Sequence, residues 1–198
     1  MLSCTGATAQ ENKNIKSVEE IISKLNPLDT INLLDLSYKN IIELPDLSKF
    51  KVRKLDISHN NLDTLILKNL PKYLVNLDVS HNKLKKEYLF ISPKSGCLDY
   101  IKQINLSNNE IEVIGFSFLR FIERINVSNN KLHTIGLSDE KLKYLDISNN
   151  KKLSNIVNFF PTDIDTIIRD HIANDAPLIT NPKHHRSLKN YFRTYPAE

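Results

Sequence analysis

Val52-Arg53-Lys54-Leu55-Asp56-Ile57-Ser58-His59-Asn60-Asn61-Leu62 and Leu74-Val75-Asn76-Leu77-Asp78-Val79-Ser80-His81-Asn82-Lys83-Leu84 are one pattern written twice. Apolar residues hold the opening, middle and closing places, and an asparagine stands two residues before the end. The pair Leu55/Ile57 alternates with period two, which puts both side chains on one face of a short strand. Outward from these two copies the frame recurs at Leu34/Leu36, Ile104/Leu106, Ile125/Val127 and Leu145/Ile147. The intervals between Leu34, Leu55, Leu77, Ile104, Ile125 and Leu145 are 21, 22, 27, 21 and 20 residues. Repetition on this scale means that each copy buries its apolar face by stacking on its neighbour. The first copy carries Lys39 in the asparagine place, and the last has an extra residue, Lys152, before Leu153.

The asparagine column, Asn60, Asn82, Asn109, Asn130 and Asn150, marks where the chain leaves the strand. A primary amide both donates and accepts, so it can satisfy backbone groups that no strand ladder reaches there. With that column in place, the copies resemble the leucine-rich-repeat family, whose consensus is L-x-x-L-x-L-x-x-N-x-L at about 20–29 residues per copy. Six copies cover residues 31–153. The resemblance implies an α/β leucine-rich-repeat solenoid with a short parallel sheet on its concave face, and that face as the partner surface. Repeats near 21 residues leave little room for a helix on the opposite side, so extended or 3₁₀ segments are expected there. The 27-residue interval places an insertion within 85–100, with Ser92-Pro93-Lys94-Ser95-Gly96 as its loop.

Helical caps are expected at both ends. Ser17-Val18-Glu19-Glu20 reads as a capping box before Ile21, Ile22 and Leu25, and Asn26-Pro27 ends that helix. Residues 1–13 read as disordered, so 1–30 form a loose start plus a capping helix. After Leu153, Thr162 is placed to cap a helix carrying Ile164, Ile167, Ile168 and Ile172. Asn181-Pro182 then opens a basic last helix with Lys183, Arg186, Lys189 and Arg193, so 154–198 read as a C-terminal helical cap.

Composition narrows the function classes. The chain has 198 residues, 27 basic against 23 acidic, and a net charge of +4, too mild a balance to point to nucleic acid or membrane. No apolar run approaches the roughly 20 residues that span a bilayer. Met1–Ala9 lacks a basic and then apolar leader pattern, and two cysteines make no disulfide framework. A cytoplasmic or nuclear location, without secretion, is the expectation.

Chemistry-bearing motifs are sparse. There is no phosphate-cradling glycine loop, nucleophile elbow, Cys-x-x-Cys or His-Glu-x-x-His. Cys97-Leu98-Asp99 has the Cys-x-Asp form of bacterial ubiquitin ligases that carry leucine-rich repeats. In those ligases, however, it lies in a helical domain outside the repeats, and the local sequence does not clearly supply a base or cationic environment to activate the thiol. His59 and His81 share one place in adjacent copies and should stack about 5 Å apart. Asp56 and Asp78 lie near them, but polar Asn108, Asn129 and Asn149 fill that place in later copies, so the pair reads as turn structure and not as a zinc site. The chain therefore reads as a non-enzyme with no cofactor, no metal site and no small-molecule substrate.

The partner surface follows from the period-two alternation. One column facing out of the sheet is Asp56, Asp78, Asn105, Asn126 and Asp146, preceded by Asp35; a second is Lys54, Asn76, Gln103, Arg124 and Tyr144, preceded by Leu33. Serine follows the first column in every copy, so Asp/Asn-x-Ser reads largely as repeat architecture. Individuality lies in the second column, where Lys54, Arg124 and Tyr144 are of the types that anchor interfaces. The acidic column disfavours phosphate, which points to a protein partner. The alternative is nucleic-acid or acidic-membrane binding through Lys183, Arg186, Lys189 and Arg193.

Overall fold

The protein is described here by a computed structural model, which covers residues 18–85, 89–91, 98–137, 141–158, 164–168 and 178–179. Their strands are β1 (Thr30–Ile31), β2 (Leu34–Asp35), β3 (Lys51–Val52), β4 (Lys54–Asp56), β5 (Asn76–Asp78), β6 (Leu89–Ile91) and β7 (Gln103–Asn105). Then come β8 (Val113–Phe116), β9 (Arg124–Asn126), β10 (Thr134–Leu137), β11 (Tyr144–Asp146), β12 (Asn155–Asn158), β13 (Thr166–Ile168) and β14 (Leu178–Ile179). The main sheet is parallel, in the order β2-β4-β5-β7-β9-β11-β13. Its register runs Leu34, Leu55, Leu77, Ile104, Ile125, Leu145, Ile167, so the spacing arithmetic becomes a physical column. The 27-residue turn keeps Leu77 opposite Ile104, so its extra length is taken up away from this sheet.

Burial follows the alternation. Leu36, Ile57, Val79, Leu106, Val127 and Ile147 are each 0% exposed and join the strand-centre residues in one continuous core. At about 25 cal/mol per Å² of apolar surface, each such side chain contributes roughly 1.5–3 kcal/mol. No single repeat could form this core, because each turn buries its apolar face by stacking on its neighbours.

The side opposite the main sheet is extended, as short repeats require. Strands β6, β8, β10, β12 and β14 form a second parallel sheet, and Leu67–Asn69 is a 3₁₀ segment in an earlier turn. A two-stranded pairing of β1 with β3 completes the entry side.

The helical caps are corrected. Among the described residues only 18–23 are α-helical, with Val18 buried and Ile21, Ile22 and Leu25 packed against the core. Of the helix expected through Ile164, Ile167, Ile168 and Ile172, Ile167 and Ile168 lie instead in strand β13, paired in parallel with β11, and Ile172 lies outside the described residues. Backbone N–H of Ile147 donates to Ile168 (2.9 Å), and that of Thr166 donates to Lys143 (2.9 Å). The exposed edge of β11 offers unpaired donors and acceptors, and satisfying them outweighs a helical spacing of three isoleucines. The basic helix with Lys183, Arg186, Lys189 and Arg193, the Ser92–Gly96 loop, Cys97, Asp139, Glu140 and the stretch 1–13 lie outside the described residues.

Candidate protein-binding face

Strands β4, β5, β7, β9 and β11 are each left through the same hydrogen-bonded turn, which fixes the face that they present. Asn109 is representative. Its Nδ2 donates to the carbonyls of Leu106 (3.1 Å) and Ser107 (3.3 Å) in its own turn and of Val79 (3.0 Å) in the previous one. Its Oδ1 accepts from the Leu84 N–H (3.1 Å). Asn82, Asn130 and Asn150 repeat this arrangement, bonding the N–H groups of Leu62, Ile111 and Leu132. Asn60 accepts from two, Lys39 and Ile41. The column is thus structural, an amide ladder that ties each turn to the one before.

The residue preceding each ladder position has a left-handed backbone. Tyr38, His59, His81, Asn108, Asn129 and Asn149 have φ between 53° and 56°. Asparagine and histidine tolerate this region better than most residues with a Cβ, which explains the choice of residues in this column. The shared conformation stacks His59 on His81 with ring centroids 4.1 Å apart, and adds Tyr38 at 4.2 Å from His59. Tyr38 was not anticipated from the sequence as part of that stack. Among the described residues no group of three His, Cys, Asp or Glu side chains is placed to hold a metal ion.

The Asp/Asn column is consumed by its own strand. Oδ1 of Asp56, Asp78, Asn105, Asn126 and Asp146 accepts the N–H of the serine two residues on, at 2.9–3.1 Å. The serine hydroxyl also donates to Asp78 (2.6 Å), Asn126 (2.8 Å) and Asp146 (2.7 Å). Asn105 Nδ2 further donates to Asp78 Oδ2 (3.0 Å), linking two turns. Asp35 makes the same motif, and the Ser37 hydroxyl, then its N–H, hold the Asp35 carboxyl below its ordinary range; Lys39 adds to this and burial opposes it.

The second column behaves differently. Lys54, Gln103 and Arg124 are exposed, and Asn76 and Tyr144 half-buried. Asn76 donates to Gln103 Oε1 (2.9 Å), and the Arg124 guanidinium lies 4.1 Å from the centroid of the Tyr144 ring on the next strand. Lys54 makes no ion pair among the described residues. The five side chains therefore form one ridge of a free cation, an amide pair and an arginine–tyrosine slab. Beside it runs the Lys102–Glu123 ion pair (3.4 Å).

The leucine-rich-repeat family model matches residues 51–72 and 141–162, at the second and the last copies of the array. The two matches support a leucine-rich-repeat protein. Leucine-rich-repeat domains generally mediate protein–protein interaction and are typically non-enzymatic. No curated protein and no solved structure matches this leucine-rich-repeat chain. Within it, no helix among the described residues is long and apolar enough to cross a membrane.

Proposed function

We propose that this protein is an interaction module, an adaptor or regulatory subunit, that binds another protein on the solvent face of the main sheet. The observation that supports this reading is the contrast between its two outward columns. Asp56, Asp78, Asn105, Asn126 and Asp146 each commit Oδ1 to the turn that follows. Lys54, Asn76, Gln103, Arg124 and Tyr144 bond only to one another or to nothing among the described residues. Side chains that the fold does not need, held at fixed spacing on rigid strands, are what specific recognition requires. Arginine and tyrosine pre-stacked as a slab lose little rotamer freedom when a partner covers them. Lys54, two strands before Gln103, adds a steering charge at the other end of the ridge.

The test is a nuclease-treated pull-down from matched lysate, read by mass spectrometry. Wild type is compared with Lys54→Glu/Arg124→Glu/Tyr144→Ala, shown by circular dichroism to be folded. Loss of a protein partner in the folded variant alone supports the reading; retention of every partner refutes it.

A further inference from the structure

A second surface lies where the chain returns to the main sheet, at the residue just before each apolar opener. This place is occupied by Tyr73, Tyr100 and Phe121 in three successive turns, with Lys51 and Lys141 in the turns on either side. The three rings are 48%, 51% and 41% exposed, and Phe118, in the same return loop as Phe121, is 65% exposed. Tyr73 and Tyr100 stack with centroids 5.7 Å apart, and the Lys141 ammonium lies 5.2 Å from the centroid of the Phe121 ring.

Two of these aromatics are held at a conformational cost that the repeat does not explain. Tyr73 has φ 64° and Phe118 φ 59°, and both lie outside the ladder-linked column, as does Asn40 (φ 54°) among the described residues. A bulky side chain in this region costs on the order of 1–3 kcal/mol, and such strain concentrates at functional sites. Here it holds two large apolar side chains against solvent.

The rim is cationic. Lys51, Lys72, Arg120 and Lys141 border the rings, and among the described residues none of the four pairs with a carboxylate. Asp99, beside Tyr100, is a carboxylate on this edge, and Asp139 and Glu140, which precede Lys141 in the sequence, lie outside the described residues. From Lys51 to Lys141 is four strand spacings, about 19 Å, the length of roughly six extended residues.

We propose that this lip docks an acidic, apolar-containing extended segment of a partner protein, with side chains on the aromatic row and carboxylates on the four cations. Nucleic acid fits less well. Stacked bases need free ring faces, whereas Tyr73 and Tyr100 turn a face toward each other and Phe121 turns one toward Lys141. The chain's own 180–198 stretch, with Lys183, Arg186, Lys189 and Arg193, has the wrong sign for this rim. The lip is separate from the ridge of Lys54, Arg124 and Tyr144, and either surface can fail without the other.

The experiment is selection of displayed random 12-residue peptides on the full chain, followed by fluorescence titration of the enriched peptides. Two edge variants are used, Tyr100→Ser/Phe121→Ser and Lys72→Glu/Arg120→Glu. The second changes only exposed charges, so it reports even if the first unfolds. The expected result is acidic peptides with apolar residues that lose at least tenfold in affinity on the charge-reversed edge. They should keep their affinity on Lys54→Glu/Arg124→Glu. Peptides without acidic bias, no enriched peptide, peptides lost only on the sheet-face variant, or labelled (dT)12 binding tighter than any peptide would each overturn the proposal.

Discussion

Replacing Asn109 by alanine removes a side chain whose amide bridges two turns of the solenoid. Two of its bonds cross between turns: Nδ2 to the Val79 carbonyl at 3.0 Å and Oδ1 from the Leu84 N–H at 3.1 Å. Asn109 is 7% exposed, so water cannot readily replace it. A buried donor or acceptor left without a partner costs about 1–3 kcal/mol. The Val79 carbonyl still accepts from Asn82 Nδ2 (3.1 Å), so the Leu84 N–H is the group left without a partner, and the expected loss is about 1–3 kcal/mol. Asn108→Gly is the control: it lies one residue away, at φ 56°, a conformation that glycine adopts freely. Its effect should stay within about 0.5 kcal/mol, the usual range for a surface change. The assay is urea unfolding followed by circular dichroism, with hydrogen exchange at Leu84 to locate the damage. A loss below 1 kcal/mol for Asn109→Ala, or equal losses for both variants, would refute the ladder as a source of stability.

Other consequences follow from the same geometry. Asn129→Val, which forces a β-branched residue to φ 54°, should destabilise by about 1–3 kcal/mol, whereas Asn129→Gly should be near neutral; thermal melts distinguish them. Ile147→Ala empties a fully buried place next to the last turns and should cost about 2–5 kcal/mol in denaturant titration. Asp35, held below its ordinary range by Ser37 and Lys39, contributes stability that is fully present above the unfolded carboxylate range, near pH 4, and is lost as pH falls through its lower folded value. Asp35→Asn keeps an oxygen to accept from Ser37 but no longer titrates. Its acid-unfolding curve should therefore be flatter than wild type, and an identical curve would contradict the assignment.

The sequence was legible wherever a local rule is repeated. Period-two alternation and near-constant spacing set which residues face inward, and the structure's register, Leu34 through Leu145, follows from them. The asparagine column was readable because one side-chain type has the donors and acceptor that the turn needs. The extended course of the described residues opposite the main sheet followed from repeat length.

What required the folded molecule was everything decided between turns. Ile164, Ile167 and Ile168 satisfy a helical spacing and also the opening of a repeat, and only the open edge of β11 selects the strand. Lys54, Asn76, Gln103, Arg124 and Tyr144 were identifiable as one outward column. That Arg124 meets Tyr144, that Asn76 meets Gln103, and that the Asp/Asn column is used up by serine depend on distances across strands. The aromatic lip at Tyr73, Tyr100 and Phe121 went unread because its places precede the repeat's constrained positions, where sequence pattern carries no rule. Inward-facing residues obey packing that every copy shares, so the chain's own sequence determines them. Outward-facing residues obey no shared rule, and only the stacking of one turn on the next decides which of them meet.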